Sequence, residues 1–331
     1  EFYLDEIIVT ATTTPNTVRN TNASVQVVTR EEIERNHYTT LKEALDHVPG
    51  VNSITYGEGI GFEISGESNL RMRGSAGAVV LIDGVRYKTG NGYRGFLFNM
   101  NMDDVERIEV LRGSASTLYG ADAIGGVVNI ITRKQYAGQQ GKIAISGGNF
   151  GRQNYHINHQ GGENNVYWSV SYDKMKRGDY KDGYGNRYPT KLDQDSVDLK
   201  IGMHLSPVTN LTLRNHWAHR DGHSLYFYPG SGNYRWGANY YERLTTAVIE
   251  YRKTDGSEAN TFAFSRGSFY SDRRRALDAA PYNTWEKSDR TNLLISDRYY
   301  RKLAENHRLS AGFEWQKYEV STTTAPGRWI K

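Results

Sequence analysis

The chain contains no cysteine, and none of its apolar runs reaches the roughly 18 residues that a transmembrane helix requires. Disulfides and thiol chemistry are therefore excluded, and so is a helical membrane span. Positive and negative side chains nearly balance, at 41 against 37, and the net charge of +4 gives no indication of a nucleic-acid partner. No GxSxG, HExxH or Walker-loop motif occurs, so the sequence does not indicate an enzyme.

Tyrosine, by contrast, is abundant at 24 residues, and the mean hydropathy of −0.68 is that of a hydrophilic chain. A membrane barrel can have this composition, because its strands alternate apolar and polar residues and its aromatic residues mark the membrane interfaces. Ordinary β-sandwiches are also rich in aromatic residues. Composition alone therefore leaves both classes open.

Residues 71–134 consist of short apolar blocks that each end at Gly or Asp-Gly. Two of these blocks are 79–85, with an Ile-Asp-Gly turn, and 105–113. Such blocks predict short strands joined by tight turns. Upstream, residues 29–32 carry a helix-capping signal, and residues 41–48 have helical spacing that ends at Pro-Gly. Taken alone, this region would indicate a small soluble α+β domain.

In this order the blocks resemble the plug domain of TonB-dependent outer-membrane transporters. The resemblance covers roughly residues 5–134 and includes the Ile-Asp-Gly turn, the ERIEVLRG strand of residues 106–113 and the GGVVNIIT exit of residues 125–132. It implies a plug inside a transmembrane β-barrel, in the outer membrane of a Gram-negative bacterium.

From residue 141 the sequence alternates with a period of two. Val197, Leu199, Ile201 and Leu205 are predicted to face lipid, and Asp198, Lys200 and His204 to face the lumen. After the first hairpin, short and long links alternate, as periplasmic turns and extracellular loops do. Nine strands are predicted, at 141–150, 152–160, 165–176, 194–205, 209–220, 241–253, 258–272, 288–302 and 307–320.

The predicted fold class is an α+β plug domain followed by a transmembrane antiparallel β-barrel. Residues 1–22 are assigned to a TonB box and tether, 23–134 to the plug, and 135–331 to the N-terminal part of the barrel. A plugged barrel uses about 22 strands, and an open sheet would leave unpaired edges in lipid. We therefore expect a remaining barrel segment of the same protein to complete the wall.

A β-branched run near the start of the chain precedes a polar tether that contains Thr, Asn and Pro. By itself the run could be an ordinary edge strand. Placed before a plug it resembles the TonB box, which implies strand addition to the C-terminal domain of TonB. The residues of this predicted TonB-binding strand are Asp5, Glu6, Ile7, Ile8, Val9, Thr10 and Ala11.

Four charged residues are candidates for a lock between plug and barrel. Arg73 and Arg112 precede glycines in plug strands, and Glu106 and Glu109 lie shortly before Arg112. The resemblance implies that such charges form buried ion pairs with the barrel, which are costly to break singly. The alternative is that they are solvated surface charges.

Two aromatic-rich segments are candidates for ligand contacts. The plug loop 87–102 offers Tyr93 and Arg94, and the link 221–240 offers His223, Tyr226, Tyr228, Tyr234 and Trp236. The run from Tyr226 to Gly230 resembles a cobalamin-transporter loop, while His223 leaves haem open as a ligand. The alternative is a set of solvated loops with incidental aromatic residues.

The acidic residues Asp193 and Asp195 lie at the end of the long link 177–193. Clustered carboxylate oxygens can bind Ca²⁺, and the link is similar to the calcium-binding loop of cobalamin transporters. Nearby lysines and arginines dilute the negative charge, and a solvated acidic loop is the alternative. No other metal or cofactor is expected to be required.

The resemblance implies active import of a scarce metal chelate, such as a ferric siderophore, haem or a corrinoid, with energy supplied through TonB. The expected partners are the C-terminal domain of TonB, outer-membrane lipid, the metal-chelate ligand and the remaining barrel segment, with no nucleic acid. Two other classes stay open, a signal-transducing receptor and a passive porin-like channel.

Overall fold

The structure is a computed structural model. It describes residues 8–9, 16–17, 24–54, 69–72, 78–87, 100–113, 119–136, 138–188, 190–228, 232–277, 283–304 and 307–326. Across these ranges, no helix is both long enough and apolar enough to cross a membrane.

The region that we call the plug, residues 24–136, is built on a five-stranded mixed sheet. Its strand order is β3-β8-β9-β6-β7, with β6 and β9 parallel and the other neighbours antiparallel. A second sheet pairs β4 with β5, and a short pair, β1 with β2, precedes the plug. The bounds are β1 Ile8–Val9, β2 Asn16–Thr17, β3 Ser24–Thr29, α1 Arg30–Arg35, α2 Leu41–Asp46, β4 Val51–Ile54, β5 Asn69–Met72, β6 Ala78–Ile82, β7 Val85–Arg86, β8 Val105–Arg112 and β9 Gly126–Thr132.

The two helices begin where the capping signals predict. Thr29 caps α1 by accepting a hydrogen bond of 3.3 Å from the backbone N–H of Glu32. Thr40 and Glu43 form a reciprocal capping box at the start of α2. Leu41 of α2 is fully buried in the plug core. Local capping and burial of one apolar face together fix the helices against the sheet.

Strands β8 and β9 carry the centre of the plug core. Ile108, Val110, Val128 and Ile130 are fully buried there. Gly126 has a φ of +142°, and a Cβ at this position would lie 2.3 Å from the carbonyl oxygen of Leu111. Only glycine therefore allows β9 to begin so close to β8.

The second part of the chain forms one nine-stranded antiparallel sheet, which we call the wall. Its strands follow sequence order, β10-β11-β12-β15-β16-β17-β18-β19-β20. The prediction of nine strands after the plug is confirmed. The bounds are β10 Gln139–Gly148, β11 Arg152–Glu163, β12 Val166–Arg177, β15 Leu192–Ser206, β16 Thr209–Tyr228, β17 Gly232–Arg252, β18 Glu258–Leu277, β19 Asn283–Lys302 and β20 Arg308–Pro326, with a small hairpin of β13 Tyr180–Lys181 and β14 Arg187–Tyr188.

Three of the links between strands are predicted to be longer than they are in the structure. Residues predicted as loops at 221–240 and 273–287 mostly continue the flanking strands as long hairpins. The link 177–193 contains the small hairpin, and its last two residues already belong to β15. The predicted end of the ninth strand is also too early, because β20 continues to Pro326. Pairing with the neighbouring strand extends these hairpins beyond the stretch in which side chains alternate cleanly.

The polarity of the two faces of the wall is the reverse of that in the sheet of a soluble protein. The face toward the plug buries polar and charged side chains, while the opposite face exposes large apolar ones. The prediction for β15 is confirmed at five positions: Leu199, Ile201 and Leu205 are exposed, while Asp198 and Lys200 are buried. Val197 and His204 are both half-buried. Other exposed apolar residues are Ile143, Ile157, Leu213, Ile249, Phe262 and Phe313, and other buried polar residues are Asn158, Ser171, Arg214, Glu242, Thr246, Ser265 and Asn292. An apolar solvent such as lipid stabilises that outer face.

The strands that the structure describes do not close into a barrel by themselves. Strands β10 and β20 are each paired to a single neighbour in the sheet. The fold is therefore a plug followed by part of a β-barrel wall, as predicted.

Candidate functional site

The plug meets the wall through a 3₁₀ turn, Met102–Asp104, that presents two adjacent carboxylates. Asn101 caps this turn, its side-chain oxygen accepting a hydrogen bond of 3.0 Å from the backbone N–H of Asp103. The turn leads directly into β8, so the plug sheet fixes its position. Asp103 and Asp104 are both buried. Buried carboxylates require cations or hydrogen-bond donors, and the wall supplies them.

Two cations of the wall hold the carboxylate of Asp104. Lys200 of β15 donates to Oδ1, and Nη2 of Arg214 of β16 donates to Oδ2 at 3.0 Å. The hydroxyl of Tyr136 donates to Oδ1 at 2.7 Å. The side chains of Lys200 and Asp104 are only 2% and 3% exposed. Removal of one partner of such a pair typically costs about 3–5 kcal/mol, because the other charge stays buried.

Asp103 contacts the first two strands of the wall. Nε2 of His156 lies 2.7 Å from Oδ2, and Nζ of Lys142 lies 2.7 Å from Oδ1. Burial alone would raise the pKa of Asp103, but the hydrogen bonds from His156 and Lys142 outweigh burial and lower this pKa to about 2. Asp103 is therefore ionised at any physiological pH.

The predicted Ile-Asp-Gly turn forms a second contact with the wall. Asp83 and Gly84 both have positive φ, at 49° and 80°, which suits the tight turn between β6 and β7. Asp83 accepts hydrogen bonds from the backbone and hydroxyl of Thr132, at 2.9 and 2.7 Å. Arg298 of β19 donates to the carbonyl oxygen of Gly84. This turn is thus held to both the plug sheet and the wall.

Three further charged or hydroxyl groups of the plug region pair with wall carboxylates. The Tyr87 hydroxyl donates to Glu242 at 2.5 Å. Burial raises the pKa of Tyr87, and the Glu242 carboxylate raises it further, so the hydroxyl keeps its proton. The other two pairs are Arg86 with Glu314, at 3.2 Å, and Lys134 with Glu250.

We call this set of contacts the ionic seat. It joins the plug to seven of the nine wall strands, from β10 to β20, through charges and hydrogen bonds. Apolar contacts accompany it, because Leu244 of the wall packs into the plug core and Val85 of the plug packs with Val248, Ala263 and Leu294 of the wall. Its plug members are Asp83, Gly84, Arg86, Tyr87, Asp103, Asp104 and Lys134, and its wall members are Lys142, His156, Lys200, Arg214, Glu242, Glu250, Arg298 and Glu314. Water can replace contacts of this kind one at a time, which an apolar core does not allow.

The residues predicted for the lock make other contacts. Arg112 donates to the carbonyl oxygen of Pro49 at 2.7 Å, and Glu109 is fully buried beside Arg107 at 2.8 Å. Glu106 is half exposed and lies 3.9 Å from Arg133. Arg73 lies outside the described residues. The contacts seen for Arg112, Glu106 and Glu109 are therefore with neighbours at or within the plug, and a lock at the four predicted residues stays a prediction.

Sequence reasoning missed Asp103 and Asp104 as attachment residues. Adjacent acids before a strand usually read as a solvated turn, and Lys200 lies 96 positions away from its partner. The sequence does contain one indication of this contact, because Lys200 is predicted to face the lumen. A lysine facing a protein-filled lumen requires a carboxylate partner.

The predicted ligand-contact residues fall in two places. Tyr93 and Arg94 lie outside the described residues. Tyr226 and Tyr228 lie at the end of β16, and Tyr234 and Trp236 lie near the start of β17. In the backbone register, Tyr226 is paired with Tyr234 and Ser224 with Trp236. Their side chains are outside the described part of the structure. His223 is exposed on β16. The ligand contact stays a prediction.

The two acids predicted for calcium lie in β15 and not in a loop. Nζ of Lys174 contacts Asp193 and lies 3.1 Å from Oδ1 of Asp195. Nδ1 of His219 lies 3.5 Å from the same oxygen of Asp195. Within the ranges that the structure describes, no group of three or more His, Cys, Asp or Glu residues is arranged for a metal ion. A calcium site here stays a prediction.

Two residues of the predicted TonB-binding strand are described. Ile8 and Val9 form β1, which pairs antiparallel with Thr17 and Asn16 of β2. Asp5, Glu6, Ile7, Thr10 and Ala11 lie outside the described residues.

Comparison with known proteins identifies relatives of both parts of the chain. Residues 17–127 match the family model of the TonB-dependent receptor plug domain. The vitamin B12 transporter BtuB of Photobacterium profundum is 27% identical over 327 residues, which is 96% of this chain and 51% of that protein. An iron-regulated outer membrane virulence protein of Vibrio cholerae is 37% identical over 151 residues, covering 43% of this chain and 22% of that protein.

Solved structures share the fold. The pyoverdine outer membrane receptor FpvA from Pseudomonas aeruginosa PAO1 has a TM-score of 0.72 at 18% identity, over 95% of this chain and 49% of that one. The siderophore receptor PiuA from Acinetobacter baumannii has a TM-score of 0.68 at 21% identity, over 91% and 46%. The chain thus spans about half the length of BtuB and of both receptors.

One assignment follows from the matched plug, from the transporters and receptors among the relatives, and from the shared arrangement of plug and barrel wall. The chain carries a TonB-dependent receptor plug domain followed by part of the β-barrel wall of a Gram-negative outer-membrane receptor.

Proposed function

We propose that the protein imports a metal chelate across the outer membrane, using energy delivered by TonB to its plug. The observation that carries this proposal is the ionic seat. The plug lies against the polar face of a wall whose opposite face is apolar, and buried charge pairs such as Asp104 with Lys200 and Arg214 hold it there. A plug held by charges can be retained at rest and still rearrange under force.

A passive porin-like channel fits this arrangement poorly. An open pore requires an unobstructed lumen, but here polar positions of the wall such as Lys200 and Glu242 are buried against the plug. Solutes that enter this part of the lumen therefore pass only if the plug rearranges. This requirement favours active import over diffusion.

Coupling to TonB is proposed to use β1. Among the described strands, Ile8 and Val9 pair with β2 alone, in a two-stranded ribbon outside the plug sheet. A two-stranded ribbon of this length is marginal, so β1 can exchange its partner for a strand of the C-terminal domain of TonB at low cost. The remaining residues of the predicted strand, Asp5 to Ala11, would extend the pairing.

The proposed substrate is a corrinoid, a ferric siderophore or haem. BtuB is named as a vitamin B12 transporter, and the solved neighbours include siderophore receptors. The long hairpin of β16 and β17 carries Tyr226, Tyr228 and Trp236 at its far end, where aromatic rings can stack on a planar or macrocyclic ligand. Tyr93 and Arg94 would contact the same ligand from the plug.

The test is uptake and surface binding of radiolabelled cobalamin, haem and ferric siderophores by cells with and without the full-length receptor. We expect one of these classes to bind tightly and to accumulate only in cells that also contain TonB. Accumulation that is equal with and without TonB would contradict active import. Failure of all three classes to bind would contradict the proposed substrate.

A further inference from the structure

His156 bridges the plug and the wall through both of its ring nitrogens. Nε2 lies 2.7 Å from Oδ2 of Asp103 in the plug, and Nδ1 lies 2.7 Å from Oδ1 of Asp173 on β12. Asp173 is the direct cross-strand neighbour of His156, so the sheet register fixes one half of the bridge. The 3₁₀ turn at Met102–Asp104 fixes the other half.

The chemistry of this bridge determines the charge of the ring. Ionised carboxylates only accept hydrogen bonds, so each nitrogen must carry a proton to bond its partner. A neutral imidazole has a single N–H, and its other nitrogen would direct a lone pair at a carboxylate 2.7 Å away. Asp103 is ionised, since its hydrogen bonds outweigh burial and hold its pKa at about 2. While Asp173 is ionised as well, the geometry therefore requires the doubly protonated imidazolium.

Charged side chains on the neighbouring plug and wall elements surround the imidazole ring of His156. Lys142 of β10 and Arg30 of α1 lie 2.7 and 4.0 Å from Asp103, so that carboxylate keeps cations when His156 is neutral. Asp173 has no second cation among the described residues, and Asp198 of β15 adds negative charge near it. A neutral ring keeps a single N–H and can donate to only one of the two carboxylates. Asp173 has the greater need of it, so the proton stays on Nδ1 and the bond from Nε2 to Asp103 is the one that is lost.

We propose that His156 is a proton-dependent positioning residue, which ties the plug to the wall only while its ring carries two protons. The attachment that it provides is complete at or below about pH 6.5, where even a free imidazole is half protonated or more. It is lost as the pH rises and the bound ring gives up one proton. This property concerns attachment of the plug and goes beyond import.

The experiment follows detachment of the plug from the wall in the purified full-length receptor. These 331 residues contain no cysteine, so Glu31→Cys on the exposed side of α1 gives a specific site for a nitroxide label once any cysteine elsewhere in the receptor is replaced by serine. Mobility of the label is recorded against urea concentration at several pH values from 6 to 10. We compare the wild-type sequence with His156→Gln, which cannot carry charge, and with His159→Gln as the matched control. His159 lies on the same strand and the opposite face, stacked on Trp168.

For the wild type, the equilibrium constant for plug detachment should rise about tenfold from pH 6 to pH 10, because a charged hydrogen bond is lost. His156→Gln should detach at pH 6 as readily as the wild type does at pH 10, and its profile should be nearly flat. His159→Gln should follow the wild type. A flat wild-type profile, or an unchanged slope in His156→Gln, would overturn the proposal.

A second measurement does not depend on any variant folding. In the ¹⁵N-histidine-labelled receptor, the resonances of His156 should show both ring nitrogens protonated at pH 7.5. Observation of a single neutral tautomer at that pH would overturn the proposal as well.

Discussion

Replacement of Asp104 by asparagine is expected to loosen the plug more than any other single change in the 3₁₀ turn. Asp104 neutralises Lys200 and Arg214, whose side chains are 2% and 7% exposed. The substitution leaves these two cations buried without their shared carboxylate, and we expect a loss of about 3–5 kcal/mol in plug attachment. That loss corresponds to an increase of roughly a hundredfold to several thousandfold in plug detachment.

The assay is the urea titration of a nitroxide at Glu31→Cys, with Glu106→Gln as the matched carboxylate-to-amide control. Glu106 also lies in the plug, but it is 49% exposed and 3.9 Å from Arg133, so its loss should cost under about 1 kcal/mol. In the Asp104→Asn background, Lys200→Met should cost far less than in the wild type, because the two residues act as a pair. Equal effects of Asp104→Asn and Glu106→Gln would refute the reasoning.

Three further predictions test the acid, lipid and ligand contacts. Asp103 has a pKa of about 2, below its ordinary value near 3.9. Its contribution to plug attachment should therefore be complete above about pH 4 and fall as the pH drops toward 2. Asp103→Asn should remove this loss of attachment at acid pH from the urea titrations. Ile201→Arg on the outer face should reduce the free energy of folding into lipid vesicles by roughly 2–4 kcal/mol. Tyr184→Arg, at a hairpin residue that is 94% exposed, should change this free energy very little. Equal losses would contradict the assigned outer face. The double substitution Tyr228→Ala with Trp236→Ala should weaken ligand binding to cells without reducing the amount of receptor in the membrane, and Tyr184→Ala should leave binding unchanged; unchanged affinity in the double variant would move the ligand elsewhere.

The sequence predicted the wall because lipid and a wet lumen select opposite side chains at successive positions. In β15 this selection is clear from Leu199 to Leu205, and the predicted faces are correct. In residues 221–240 the sequence no longer alternates between apolar and polar residues. The ends of β16 and β17, from residue 221 to residue 240, were therefore predicted as a loop although their backbones continue to pair.

The contacts of the ionic seat were harder to predict, because they join residues far apart in the chain. Arg112 and Glu109 have the residue types of a lock, yet the contacts seen for them are with plug neighbours. Asp103 and Asp104 gave no local pattern, since their function depends on wall residues 39 to 110 positions away. Long-range charge pairing leaves no periodic signal, whereas membrane exposure does.

The central claim, import driven through the plug, is tested most directly by Ile8→Pro in cells that express the full-length receptor. Proline removes a backbone N–H and fixes φ, so β1 can no longer pair fully with a strand of TonB. The account predicts that surface binding of the labelled ligand stays at the wild-type level while its accumulation falls to that of cells without TonB. Wild-type accumulation by Ile8→Pro would contradict it.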